Sequence, residues 1–286
     1  MAKAQKTKTK VEYLLFSIFL ALVTISFLPN LMDPFILPKS AILVVGSIWF
    51  ALNSIKPRVK LVLRPLNVTL LALILWLLIL VVTSDYKWIS LFGVNGRATG
   101  ILFYTALIGL LWHAQKFSFE KQEKIFLTFL VVSTFILFYG VLQFANLDPF
   151  EWNLVYEGII GVFGNPNFMG AFSALAGIAG ISLFLNRESK TIFKLLGLAI
   201  FALAIINILA SKATQGFVSF VIGISPIVIF GLFRRSKKLG LAGIGAAAFG
   251  LLLFVLGLLQ KGPLAEIVYK QSVSYRGDFW RTATNM

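Results

Sequence analysis

The chain has no cysteine, a single histidine and only 11 acidic residues in 286. The first absence removes disulfides, thiolate metal sites and thiol nucleophiles together, and it leaves no redox compartment to infer. One histidine rules out a histidine-rich metal centre. A third scarcity is positional: no Asp, Glu, Lys or Arg stands in the middle of any long apolar run. Ion-coupled transporters and proton pumps usually need such a group at membrane depth, so this scarcity weighs against them.

What is abundant is apolar. The chain is 58% hydrophobic and 13% charged, with a mean hydropathy of +0.89, a composition foreign to soluble domains. A bilayer core about 30 Å thick needs roughly 20 apolar residues per helix. Nine such runs are expected, at 12–29, 40–55, 66–84, 99–114, 125–146, 167–186, 192–211, 213–233 and 240–260, the second and fourth being the short ones. The first run is too long for a signal peptide and has no small-residue cleavage site before Phe27-Leu28-Pro29, so it reads as a retained span. The predicted fold is all-α, a polytopic transmembrane helix bundle over 1–260, with 261–286 as the start of a large exterior loop.

The net charge of +15 would in a soluble protein point to nucleic acid, but its distribution points elsewhere. Eighteen of the 26 Lys and Arg fall in five segments, 3–10, 56–64, 116–124, 187–194 and 234–238, which the nine runs place on one side. The other side holds Lys39, Lys87, Arg97, Lys212, Lys261, Lys270, Arg276 and Arg281 among seven acidic residues. Cytoplasmic loops carry the basic excess, so the amino terminus is expected inside and residue 286 outside. The inner charges suit anionic headgroups, and nucleic acid is not an expected partner.

The exterior loops carry the chemistry. Lys87 to Gly100 contains three glycines and Arg97 ahead of a helix, which is either an anion-presenting loop or an interfacial turn with Trp88 in the aromatic belt. Residues 147–166 form the longest internal loop, in which Asp148, Glu151 and Glu157 read as solvated. Asn165 and Pro166 suit an N-cap and first helical position, with Asn167 in the first turn, either as a plain capped start or as part of a site. Lys212 sits at the tip of a tight hairpin. Lys39, Arg97 and Lys212 all stand against helix N-termini, where the dipole disfavours a cation but a bound diphosphate would use it. The glycine and alanine runs Gly170-Ala171-Phe172-Ser173-Ala174 and Gly243 to Ala248 read as close helix packing. His113, beside Trp112, reads as an interfacial anchor on the inner side.

These residues resemble the bacterial O-antigen ligase and O-antigen polymerase superfamily. The resemblance rests on Phe92-Gly93 running to Arg97 and Gly100, on Gly164-Asn165-Pro166-Asn167-Phe168, on Ser211-Lys212, and on Tyr275-Arg276 followed by Trp280. It implies a metal-independent glycosyltransferase without cofactor. Such an enzyme moves a glycan from an undecaprenyl-diphosphate carrier to a glycan, lipid or protein acceptor, on the outer face of the inner membrane and with inversion at the anomeric carbon. It implies Arg276 and Lys212 as the catalytic cations, Lys212 standing where the family commonly has arginine. Arg97, Asn165, Asn167 and Arg281 are expected to bind substrate. The family's acceptor-activating histidine has no counterpart, and it is expected beyond Met286, with the chain an amino-terminal fragment. A transporter or flippase of lipid-linked or amphipathic solutes is the alternative, although no internal repeat supports it.

Overall fold

The computed structural model describes residues 2–54, 65–94, 96–152, 157–268 and 282–283. Among them every regular element is helical: α1 (Ala2–Ile25), α2 (Ile36–Ser54), α3 (Pro65–Thr83), α4 (Lys87–Phe92), α5 (Ile101–Ala114), α6 (Phe119–Phe144), a 3-10 turn (Gly161–Phe163), α7 (Pro166–Leu185), α8 (Thr191–Ala210), α9 (Thr214–Arg235), α10 (Lys237–Leu258) and α11 (Ala265–Val268). Each of the nine expected runs coincides with a helix. Seven helices, α2, α3 and α6 to α10, are long and apolar enough to cross a membrane. The apolar part of α1 (Val11–Ile25) and the 14-residue α5 are shorter. The outward faces of these helices are apolar, as befits a multi-pass membrane protein: on α3, Leu71, Leu75, Trp76 and Ile79 are all about half exposed.

Local chemistry sets the helix starts. The Asp33 carboxylate accepts from the Phe35 and Ile36 amides at 3.2 and 2.8 Å, so α2 begins at Ile36, and Pro38 falls in the first turn where its missing N–H costs nothing. The sequence expectation began this span after Lys39 and made it short. The cap instead takes Lys39 into the helix and gives 19 residues. The Asn165 side chain accepts from the Asn167 amide at 2.9 Å with Pro166 at the first helical position, as expected for α7. Ser236 caps α10 in the same manner, accepting from Leu239 at 3.1 Å.

The bundle has two cores. Phe16 and Phe19 of α1, Leu43 and Phe50 of α2, and Ala106 and Leu110 of α5 form one, with Phe117. Leu130, Ile136 and Leu137 of α6, Met169 and Ala176 of α7, and Ile200 and Ala204 of α8 form the other. Small residues let α7 sit at the centre of its half. A Cβ at Gly216 of α9 would lie 2.7 Å from Gly170 of α7, and one at Gly180 would lie 2.7 Å from the carbonyl of Gly197 on α8. Between α6 and α8, the wholly buried Asn207 donates to the Leu137 carbonyl at 2.9 Å, a cross-helix bond worth about 0.6 kcal/mol in a membrane protein.

His113 is not an interfacial anchor. It is fully buried, its ring centred 4.7 to 5.4 Å from those of Phe16, Phe50 and Phe117, and its Nε2 lies 3.7 Å from Glu12 Oε1. Trp112 is the exposed neighbour, at 45%. A histidine four residues before Phe117 on the inward face of α5 joins the aromatic core, and Glu12 of α1 supplies the polar complement.

Candidate functional site at one end of the bundle

The C-termini of α1, α6 and α8 and the N-termini of α2, α7 and α9 meet at one end, which carries Lys39, Asn165, Asn167 and Lys212 among the residues singled out from the sequence. Lys39 ties the first two helices there. Its Nζ donates to the carbonyls of Thr24, at 3.0 Å, and Ser26, at the C-terminal end of α1, and lies 5.7 Å from the centre of the Phe163 ring. A cation among helix C-terminal carbonyls is favourably placed. Lys39 is therefore a staple between helices rather than one of three cations offered to a polyanion.

Behind it lies a hydrogen-bonded hub. Helix α6 ends with Asn146 in the left-handed region, φ +58°, and the Leu147 amide returns to the Leu142 carbonyl at 2.9 Å, which turns the chain back over the helix end. Asp148 then faces Tyr139 and Gln143, one turn apart on α6. Its carboxylate accepts from Tyr139 Oη at 3.0 Å, Gln143 Nε2 at 2.7 Å, the Phe150 amide at 3.0 Å and Trp152 Nε1 at 2.9 Å. Gln143 Oε1 in turn accepts from the Ile160 and Gly161 amides at 3.2 and 2.7 Å. The reading of Asp148 as merely solvated is thus corrected: four donors fill its roughly four lone-pair positions. Phe27 and Phe35 back this loop, with ring centroids 5.9 and 4.9 Å from that of Trp152.

The hub walls a cleft of about 330 Å3 lined by Gln143, Asn146, Asp148, Phe150, Trp152 and the segment Glu157 to Ile160. The floor is tight: a Cβ at Gly158 would run into the Ser211 carbonyl, and the Ile159 amide donates to the Ala210 carbonyl at 3.3 Å. That seats the loop on the turn between α8 and α9. On the rim, Lys212 stands in the left-handed region, φ +52°, between the end of α8 and the start of α9. Its Nζ is 3.3 Å from Glu157 Oε2, both side chains being largely exposed, so Glu157 is ion-paired rather than free.

Of the residues singled out, the structure brings Asn165, Asn167 and Lys212 to this end. Asn165 spends its side-chain oxygen on the helix cap. Arg97 lies apart from the cleft, exposed, in the compact turn before α5, and forms no ion pair among the described residues. In that turn the amides of Gly93, Arg97 and Ala98 donate to Ile89 and Val94 carbonyls. The turn thus keeps these amides for itself. Arg276 and Arg281 lie outside the described residues. Among the described residues no three of His, Asp and Glu come together to hold a metal ion.

Sequence reasoning missed Tyr139, Gln143 and Trp152. The available signal was two polar side chains four residues apart at a span end, followed by a helix-ending asparagine and an acid. No family model, curated protein or solved structure matches the chain.

Proposed function

We propose that the protein is a membrane glycosyltransferase of the O-antigen ligase and polymerase type. On this reading it moves a glycan from an undecaprenyl-diphosphate carrier to an acceptor on the outer face of the bacterial inner membrane. The observation that carries the reading is a juxtaposition: the Asn165-Pro166-Asn167 helix start, Lys212 and an aromatic, carboxylate-bearing cleft share one end of the bundle. On the proposed topology of nine spans with a cytoplasmic amino terminus, that end is exterior.

Helix direction supports the topology. Phe27, just past α1, stacks on Tyr139 near the end of α6, so α1 and α6 run parallel. Parallel helices require an odd number of crossings between them, which α2, α3 and the short α5 supply together.

In this mechanism Lys212 and Arg276 stabilise the charge that develops on the departing diphosphate, and Arg97, Asn165, Asn167 and Arg281 hold the substrate. The Lys212–Glu157 pair does not obstruct this. Exposed ion pairs are worth about 0–1 kcal/mol, so a diphosphate readily displaces one carboxylate. The test is glycan transfer in membranes from cells expressing the complete gene product. Arg276→Ala and Lys212→Ala are each expected to lower transfer at least 100-fold at unchanged expression. Full activity in both variants rejects the reading, and movement of a labelled polyprenyl-diphosphate sugar across vesicles without transfer replaces it with a flippase.

A further inference from the structure

We propose that a groove at the opposite end of the bundle binds one anionic glycerophospholipid, with an acyl chain between α5 and α6 and the phosphate at Gln115 and Lys121. The site uses other residues than the cleft and stands apart from the glycosyltransferase reading. Its groove exists because two consecutive helices part. Helix α5 packs against α2, whereas α6 packs against α1 and α8. Between them Phe117 drops into the aromatic core beside Phe16 and His113. The Lys116 and Phe117 amides donate back to the His113 and Ala114 carbonyls at 3.2 and 3.1 Å, which fixes the turn. What remains is a groove of about 400 Å3, with Phe16 and Leu20 of α1 at its back and Leu110, Leu111 and Ile125 on its flanks. Phe16 and Leu20 stand one turn apart on one face of α1. The volume falls within the roughly 300–1,000 Å3 range of small-ligand sites.

Apolar walls in a membrane protein suit a hydrocarbon chain, and the mouth decides what that chain is attached to. Gln115 and Gln122 are the polar residues of the lining. Gln122 Nε2 is taken by the Phe117 carbonyl at 3.1 Å. Gln115 Nε2 is buried and has no acceptor. An orphan donor is costly, and it favours an occupant that brings an oxygen bearing no hydrogen, as an ester carbonyl does. Cations follow. Lys121 stands one turn before Ile125 on the same face of α6 and forms no ion pair among the described residues. Lys116 is exposed beside Gln115. The two acids of the segment do not answer Lys121: Glu120 is held by Lys124 at 2.6 Å, and Glu123 lies roughly 200° around α6 from Lys121. From the groove outward the order is apolar wall, donor and cation, which matches acyl chain, ester and phosphate. Lys3, Lys6, Lys8 and Lys10 stand at this same end of α1, so a headgroup with a net negative charge is favoured over a zwitterion.

The test is native mass spectrometry of the full chain in detergent, titrated with phosphatidylglycerol and, separately, with phosphatidylcholine of the same acyl chains. One phosphatidylglycerol is expected to bind at least fivefold more tightly than phosphatidylcholine. Lys121→Gln and Gln115→Leu should each weaken phosphatidylglycerol at least threefold. Leu111→Trp fills the groove from a side chain 45% exposed, so it leaves the core intact and should weaken both lipids. Lys238→Gln removes a cation from α10, which packs against α9, and should leave the affinity within twofold. Without lipid, Gln115→Leu should unfold no earlier than the parent, because it removes the orphan donor. Equal affinity for the two lipids, or affinity unchanged in both Lys121→Gln and Leu111→Trp, overturns the site. Equal weakening by Lys238→Gln and Lys121→Gln also overturns it, since the lipid is then held by overall charge. Displacement of the lipid by excess glycerol 3-phosphate overturns it in favour of a free-phosphate site. Glycan transfer does not enter the readout, so the failure of either reading leaves the other in place.

Discussion

Asp148 converts a loop into a wall. Tyr139, Gln143, Trp152 and the Phe150 amide all donate to it, so one carboxylate holds the end of α6 against residues up to thirteen positions away from Tyr139. Replacing it with asparagine keeps the shape but turns an NH2 toward groups that themselves donate. Leaving one such partly buried donor unpaired costs about 1–3 kcal/mol. Asp148→Asn is therefore expected to lower the thermal midpoint in detergent and to speed proteolysis within 145–160, with Asp148→Ala behaving similarly; unchanged midpoints in both would show that the hub does not hold the loop. The sequence offered little warning of this. An acid in a polar loop looks solvated unless Asn146 is known to fold the chain back onto α6, and a left-handed asparagine is a conformational fact that composition does not reveal. Lys39 misled for a related reason: a charge near an apolar run reads as the boundary of that run, whereas Asp33 starts the helix three residues earlier and turns the lysine toward the carbonyls of α1.

Among the helices, the apolar runs and the capping residues of α7 were legible from the sequence, because a long apolar run in this chain has no other stable form than a helix. Which faces meet was less legible. Glycines occur on both packed and lipid-facing surfaces, and only the partner helix distinguishes them. Gly216 abuts Gly170, whereas Gly245 of α10 has nothing within 4 Å of its would-be Cβ. Gly216→Val is expected to force α9 away from α7 at a cost of about 1–3 kcal/mol, and Gly245→Val to be close to neutral. Thermal unfolding of the two variants side by side checks the contrast, and equal loss in both would contradict the α7–α9 contact.

At the scale of the whole molecule, the absence of cysteine from these 286 residues makes them a ready background for single-cysteine labelling. On the proposed topology, cysteines placed at Asn146 or Gln260 are expected to react with a membrane-impermeant maleimide added to intact cells. Those at Ser118, Ser189 or Ser236 should react only after permeabilisation; the reverse pattern would invert the protein and move the cleft to the cytoplasm. Basic segments made the alternation readable in advance. The short fourth run was legible in the sequence, since α5 has 14 residues, whereas the second run was expected short and α2 has 19; α6 has 26. At 1.5 Å per residue α5 is about 21 Å long, against a hydrocarbon film of about 30 Å. On the proposed nine-span topology, in which α5 crosses, the bilayer is expected to thin beside it by up to about 9 Å, at a fraction of a kcal/mol for each ångström, so the lipid around this protein is expected to be lopsided, thin beside α5 and of ordinary depth beside α9 and α10.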